Sequence, residues 1–405
     1  MANQFQNMTE YTREFGRILH NKLTLIPRVT RGYDDRYAKT GAKIGDTLKI
    51  RLPNQYSVST GRVAVPQDVV DSSVDLKVNK RYNVATQIDT QQWTLSLNDW
   101  SQEVATPVAT RIAAEVEKDM FLDVVCDTYN QVGTPGTNPS AMATYLAVGQ
   151  RLDEYLCPMD SERSLIISPA ANAAAVDTFK GLFQSSERIA DQYERGAMGQ
   201  GLGFEFYRSG LVATITTGNK TTGVTVSGAN QAGSTLVVGG LAAGDTFKRG
   251  QVFTIAGVKA INPETKTAYS YDQQFVITAD VTASGATASL SIAPAIKLGS
   301  STGDVNARDT VNSLPAASAA LTFEGAANST YRVGLGFHKE AIAFATADLV
   351  PLDGINNSSA TIEGLRVRIA RGSDILQDYN LARFDILAGW KVIRPEFATR
   401  LALAN

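Results

Sequence analysis

The chain has 405 residues, 43% of them hydrophobic, which is enough apolar content for two or three domains that each bury a core. Its 38 Lys and Arg stand against 40 Asp and Glu, and a formal charge of -2 excludes a global field for wrapping nucleic acid or adhering to an anionic membrane. No window approaches the roughly 18 consecutive apolar residues of a membrane helix, and the N-terminal MANQFQNMTEYTREFG is polar and acidic where a signal peptide is apolar, so the expected site of synthesis and use is the cytoplasm.

Residues 1 to about 30 read as a short amphipathic segment: Phe15, Ile18, Leu19 and Leu23 fall at near-helical spacing, Thr9 is placed to cap, and Pro27 ends it. Such a stripe docks on its own domain or, as an arm, on a neighbour. Two alternating strands follow, with Leu48, Ile50 and Leu52 in the first and Val74, Leu76 and Val78 in the second. The connection from Pro53 to Ser72 has no strong pattern, and its length suits a β-arm reaching away from the body better than a hairpin turn. The arm's charges, Arg51, Arg62, Asp68, Asp71, Asp75 and Lys77, are mixed in sign, as expected where one copy meets another, and they are the candidates for inter-subunit contact.

Thr106 followed by Pro107 predicts a helix start, because the hydroxyl serves orphan amides and proline lacks an N-H that would go unpaired anyway. Val108, Ile112, Val116, Met120 and Val124 recur every four residues up to about Tyr129, so the helix is a strut of roughly 34 Å. Asp119, Asp123 and Asp127 share one of its faces and read as a solvated or inter-subunit face before an acid/base pair. A second helix is predicted over Ser140–Leu156, then a buried strand at Leu165, Ile166 and Ile167, then a third helix opening at Ser168 and Pro169; this alternation marks an α/β layer. GQGLGF at Gly199–Phe204 lacks phosphate-loop spacing and reads as a flexible connection.

From about Thr216 to Thr330 the pattern changes to short strands in a Gly-, Ala-, Ser- and Thr-rich stretch without Trp, Met or Cys. Strands are predicted at Val224–Val226, Thr235–Val238, Gln251–Ile255, Phe275–Thr278 and Ala288–Ile292, which suggests a small closed barrel without free edges. The periodicity then resumes with Leu365, Val367 and Ile369 facing one way and Arg366 and Arg368 the other, and Gly389–Ala402 supplies a final strand.

Catalytic chemistry has no foothold in this pattern. The two histidines, His20 and His338, are 318 positions apart, and no HExxH, Cys/His cluster, EF-hand loop, P-loop or GxSxG elbow occurs, so neither an enzyme nor a metal or other cofactor is expected. Cys126 and Cys157 read as buried reduced thiols. The Asn-x-Ser/Thr triplets at Asn7, Asn219, Asn328 and Asn357 read as chance products of a Ser/Thr-rich chain.

TGVTVSGA at Thr222–Ala229, KRGQVFTIAGVK at Lys248–Lys259 and NSLPAASAALTFEG at Asn312–Gly325 resemble the insertion domain of major capsid proteins from P-twenty-two-type tailed bacteriophages. The order of elements and the RPE turn at Arg394–Glu396 extend the resemblance over most of the chain. It implies an α+β fold of the HK-ninety-seven capsid type: an N-terminal arm (1–30), an extended β-loop and peripheral domain (31–139) with its spine helix at 107–129, an axial domain (140–215), an inserted β-barrel (216–330) and return strands (331–405). The implied function is a coat protein whose pentamers and hexamers tile an icosahedral shell around double-stranded DNA, assembled in the bacterial cytoplasm. The implied partners are a separate scaffolding protein, a portal protein and packaged DNA bound without sequence preference, with no membrane. Family members use acidic arm residues against scaffold; the aligned positions here are Gly16, Arg17 and His20, with Glu10 and Glu14 nearby, so Glu10, Glu14 and Arg17 are the scaffold-contact candidates. Asp245, Lys248 and Arg249 are the candidates by which the insert stabilises the monomer and meets a neighbour across a local twofold. The competing classes are a β-rich surface adhesin or carbohydrate-binding protein, which predicts an export signal, and an α/β enzyme with a β insertion, which predicts a convergent polar site.

Overall fold

The computed structural model of the chain describes residues 23–32, 47–54, 56, 62, 66, 71–89, 104, 106–179, 199–299, 309–352, 356–362, 365–374 and 378–405. In order these form β1 (Thr47–Arg51), β2 (Ser73–Lys77), β3 (Lys80–Asp89), α1 (Thr106–Asp127), β4 (Gln131–Val132), α2 (Met142–Glu154), β5 (Arg163–Ile167), α3 (Pro169–Phe179), β6 (Gln200–Gly201), β7 (Phe204–Arg208) and β8 (Ala213–Thr216). They continue with β9 (Thr225–Val226), β10 (Gly233–Gly239), β11 (Thr246–Phe247), β12 (Val252–Ile261), β13 (Ala268–Ile277), β14 (Val281–Thr282), β15 (Thr287–Ile296) and β16 (Leu321–Phe323). The last strands are β17 (Thr330–His338), β18 (Ile342–Ala347), β19 (Asn356–Ile362), β20 (Leu365–Asp374), β21 (Tyr379–Val392) and β22 (Ala398–Leu403). One compact unit gathers residues 1–50, 74–120 and 342–393, the other residues 51–73, 121–341 and 394–405.

In the first unit, β21 is flanked on one edge by β20 and on the other by β3 and then β18, all antiparallel, with β19 beyond β20. Alternation puts Val367, Ile369, Phe384 and Ile386 on one buried face, where Phe344 stacks on Trp390 at 6.4 Å. The α1 helix belongs to that side, since Tyr82 on β3 donates its hydroxyl hydrogen to Asp119 at 2.8 Å. Its buried stripe includes Ala109 and Ala113 beside the predicted Ile112, Val116 and Met120, and at its centre Glu117 is fully buried. The Thr24 amide donates to Glu117 at 2.5 Å, so the carboxyl anchors the chain just ahead of the short 3-10 turn Ile26–Arg28. Burial raises the Glu117 pKa against the amides of Thr24 and Leu25 that lower it.

The opposite face of that sheet carries a charge cluster. Asp385, with no exposed surface, accepts from Arg368 at 2.5 Å, Arg383 at 2.9 Å and Arg81 at 3.3 Å. The predicted outward-facing Arg368 is therefore buried, at 4% exposure, because Asp385 sits opposite it in the ladder.

The second unit holds a mixed sheet in the order β4-β22-β17-β5-β7-β6. The long β17 pairs with β22 along one edge and with β8 and then β5 along the other. GQGLGF is a hairpin turn between β6 and β7 and not a loose connection: Leu202 and Gly203 have φ of 52° and 80°, the left-handed pair that a two-residue turn requires. Ser168 caps α3 as expected, accepting from the Ala171 amide at 3.2 Å.

β8 and β17 pair up to Thr216↔Thr330 and lead directly into the β9–β16 strands. Thr217 stitches the two crossings by donating to the Ala326 carbonyl at 2.6 Å and accepting from the Ser329 amide at 2.9 Å. The sheet β16-β12-β13-β15-β10-β9 curls on itself, and the bridge Thr225↔Ala320 brings its two ends together. Its interior is aliphatic and Phe-rich, with Phe253 between Phe275 at 5.8 Å and Phe323 at 5.4 Å.

Two predictions follow the packing. Phe253→Ala empties the barrel centre and should destabilise it by about 3–5 kcal/mol, read as a lower urea midpoint at unchanged slope. For Asp385, burial works to raise the pKa but hydrogen bonds from Arg368 and Arg383 outweigh it, so the folded value lies below the unfolded one. Its contribution is present above the unfolded pKa of about 4 and is lost as pH falls through the folded pKa. Unfolding of Asp385→Asn measured across that range should accordingly be less acid-dependent than that of the parent chain.

Candidate functional site

The face of the barrel bearing Lys248–Gln251 packs on the end of α1, and this contact organises the second unit. Arg249 reaches Asp123 at 2.9 Å and Asp127 at 3.1 Å, one guanidinium bridging carboxylates one helical turn apart. These aspartates, expected on a solvated or inter-subunit face, are thus satisfied within the chain; a cation from more than a hundred residues away cannot be read from helix spacing. Asp280 holds the loop from behind, accepting from the Arg249 amide at 2.7 Å and from Lys248 Nζ at 2.9 Å, and the Arg249 amide is the leading reason its pKa is lowered.

Beside this bridge lies Arg400 on β22, with no exposed surface. It donates to the Thr128 carbonyl at 3.2 Å, just past the α1 C-terminus, and to the Gly250 carbonyl at 2.8 Å. Burial lowers its pKa, and among the described residues no carboxylate compensates. Gly250 has φ of 89°, and a Cβ there would stand 2.9 Å from Cys126 Sγ and 3.0 Å from Ile215, so only glycine permits the approach. Cys126 is a buried free thiol whose pKa burial raises, as it does for Cys157, pushed up to about 11.

A second contact runs along β13. Tyr269, Tyr271 and Gln273 alternate on one face: Tyr269 donates to the Glu154 carbonyl at 2.6 Å, Tyr271 to the Glu154 carboxylate at 2.6 Å, and Arg151 lies 3.6 Å over the Tyr271 ring. Gln274 pairs with both backbone groups of Gln131, at 2.8 and 3.0 Å. The period-two run of Tyr, Tyr and Gln is the sequence signal of this docking face, set beside an apolar pattern that marks the opposite one.

The remaining candidates lie apart from these contacts, Asp245 being only partly exposed. Arg51 lies 3.8 Å from Asp71 with both side chains largely in solvent, and Asn54 donates to Asp71 at 3.4 Å. Asp75, Lys77 and Arg62 are exposed. Asp245 accepts from the Ala242 amide at 2.8 Å and sits 3.7 Å from Lys220. Asp68, Glu10, Glu14 and Arg17 lie outside the described residues.

Among the described residues Asp160, Glu162 and His338 bring ligand-type atoms within 4.8 Å of one another. The His338 Nδ1 accepts from the Glu340 amide at 3.3 Å, so Nε2 carries the hydrogen toward Asp160, while Lys339 occupies Glu162 at 2.7 Å. That tautomer and that ammonium suit an ion network and oppose ligation.

A nearly closed barrel is thus held to a mixed sheet by buried hydrogen bonds and ion pairs, with no convergent catalytic constellation among the described residues. Residues 19–401 match the model of the family described as P22 coat protein, gene protein 5, and the chain belongs to that family. It is accordingly a tailed-bacteriophage major capsid protein, structural and not enzymatic, with the α+β capsid fold and a homo-oligomeric shell as its assembly. A comparison with curated proteins finds no match. Among solved structures, a chain from Mycobacterium phage Che8 is similar at 11% identity and a TM-score of 0.47, over 94% of this chain and 90% of that one. A capsid chain of cyanophage P-SCSP1u is similar at 11% identity and 0.46, over 95% and 88%. The CUS-3 coat protein I-domain is 28% identical over 26% of this chain and 96% of its own length, with a TM-score of 0.20.

Arg249→Ala removes both half-buried ion pairs and should destabilise the second unit by about 1–3 kcal/mol. Urea unfolding should show it, with Lys248→Ala, an exposed pair, changing the midpoint by far less.

Proposed function

We propose that this capsid protein is the repeating subunit of an icosahedral shell around double-stranded DNA, built in the bacterial cytoplasm from pentamers and hexamers with a separate scaffolding protein and a portal. The family match over residues 19–401 is the observation that carries this reading. Shell contacts can be individually weak, because every subunit has several neighbours and linked contacts raise one another's effective concentration. Mixed-sign side chains fit that regime, and Arg51, Arg62, Asp68, Asp71, Asp75 and Lys77 are assigned to inter-subunit ion pairs; Arg51, Arg62, Asp71, Asp75 and Lys77 are exposed. The Arg51 and Asp71 pairing at 3.8 Å is loose enough to exchange for partners on another copy.

Residues 216–330 act in this proposal as an inserted domain with two tasks. Inward, its Arg249 and Gly250 hold the end of α1. Outward, Asp245 and Lys248 meet a neighbour across a local twofold. Glu10, Glu14 and Arg17 are proposed to touch scaffold.

Electron microscopy of the purified assembly should show closed particles. Charge reversal at Arg62 or Asp71 should lower particle yield or stability while the unassembled chain keeps its unfolding midpoint; undiminished yield would refute the ion-pair assignment. Replacing residues 217–329 by a short linker should abolish normal shells.

A further inference from the structure

The second unit contains a cavity of about 210 Å³ that the docking contacts leave open. Its lining includes Tyr129, Tyr155, Lys266, Gln273, Asp309 and Glu396. An engineered cavity of about 150 Å³ already admits benzene, so the space suits a small organic group. Glu396 belongs to the Arg394–Glu396 turn, which no assembly contact described above employs.

The chemistry of the wall is that of a cation site. The Glu396 carboxylate has no side-chain hydrogen-bond partner among the described residues; its own amide reaches it, and Arg394, near enough to be felt electrostatically, lies over the Phe397 ring at 5.1 Å. Burial raises the Glu396 pKa, outweighing its own amide and the Arg394 charge, which lower it. Lys266 turns elsewhere, donating to the Asp309 carbonyl at 3.3 Å, and the charges that act on it are those of Asp309 and Glu264. Tyr129 and Tyr155 meet edge to face with centroids 6.2 Å apart, and the Tyr155 hydroxyl donates to Gln273 at 3.1 Å. Burial is the main reason both phenols are raised, Tyr155 to about 12, so both stay neutral and their rings remain electron-rich surface for a cation.

We propose that this cavity binds an alkylammonium group, with Glu396 as counter-charge and the Tyr129 and Tyr155 rings as its aromatic wall. The chemistry is shared by a free alkyl diamine and by the lysine side chain of a second copy of the chain.

The test is calorimetric titration of the full-length, unassembled chain with pentane-1,5-diamine, with pentane-1,5-diol as the uncharged control. Saturable binding of the diamine, none of the diol, and at least a tenfold loss in Glu396→Gln are expected. Pro263→Trp, which narrows the cavity from the loop between β12 and β13 without touching the carboxylate, should weaken binding likewise and covers the case in which Glu396→Gln fails to fold. Equal response to diol and diamine, heat matched by sodium chloride at the same ionic strength, or undiminished binding in both variants would overturn the proposal. The two sources separate on assembled shells: a site for free diamine titrates there as well, whereas a site filled by a neighbour's lysine titrates only in the unassembled chain.

Discussion

Arg400 is fully buried, has no acidic partner among the described residues, and divides its guanidinium between the Thr128 and Gly250 carbonyls. One side chain of the final strand thereby fixes the end of the spine helix and the nearest loop of the barrel. Taking a guanidinium out of water is expensive, and the outlay is recovered only where several strong acceptors are positioned for it. The carbonyls past a helix C-terminus are such acceptors, being unpaired within the helix and at the negative end of its dipole. Around this point the other contacts are arranged: Gly250 lets the loop come close, Arg249 reaches the two aspartates a turn earlier, and Asp280 holds the loop's backbone.

For a protein that tiles a shell, this arrangement separates two demands. Contacts that must persist before and after assembly are buried and use the costly groups Arg400, Glu117 and Asp385. The described surface also carries exposed, loosely paired charges whose exchange costs little, such as Arg51 and Asp71, and these suit the inter-subunit role proposed for them. The barrel suits such a subunit because curling its sheet until Thr225 meets Ala320 leaves few open edges to recruit the wrong strand.

Local pattern made much of the fold legible. The Thr106–Pro107 start gave α1, the alternation at Leu48–Ile50 and Val74–Leu76 gave β1 and β2, and Ser168 capped α3 as its position suggested. What stayed hidden depended on partners distant in sequence. Arg400 and Arg249 look like ordinary surface cations because the carbonyls and carboxylates they meet lie 122 to 272 positions away. Alternation sends Arg368 to the polar face of its strand, where pairing with Asp385 and donation to the Val350 carbonyl accompany its burial. GQGLGF looked slack from its glycine count, whereas two adjacent left-handed residues make it a tight hairpin turn.

The most direct measurement is urea unfolding of Arg400→Met, followed by hydrogen exchange separately in the barrel strands and in β17 and β22. The substitution keeps apolar bulk and removes the fork that ties the three elements. If the fork couples them, the parent chain loses protection in both regions together and the variant loses it in two steps, the barrel strands parting from the β17–β22 sheet. A variant in which both regions still open in a single transition at the parent midpoint would contradict the account.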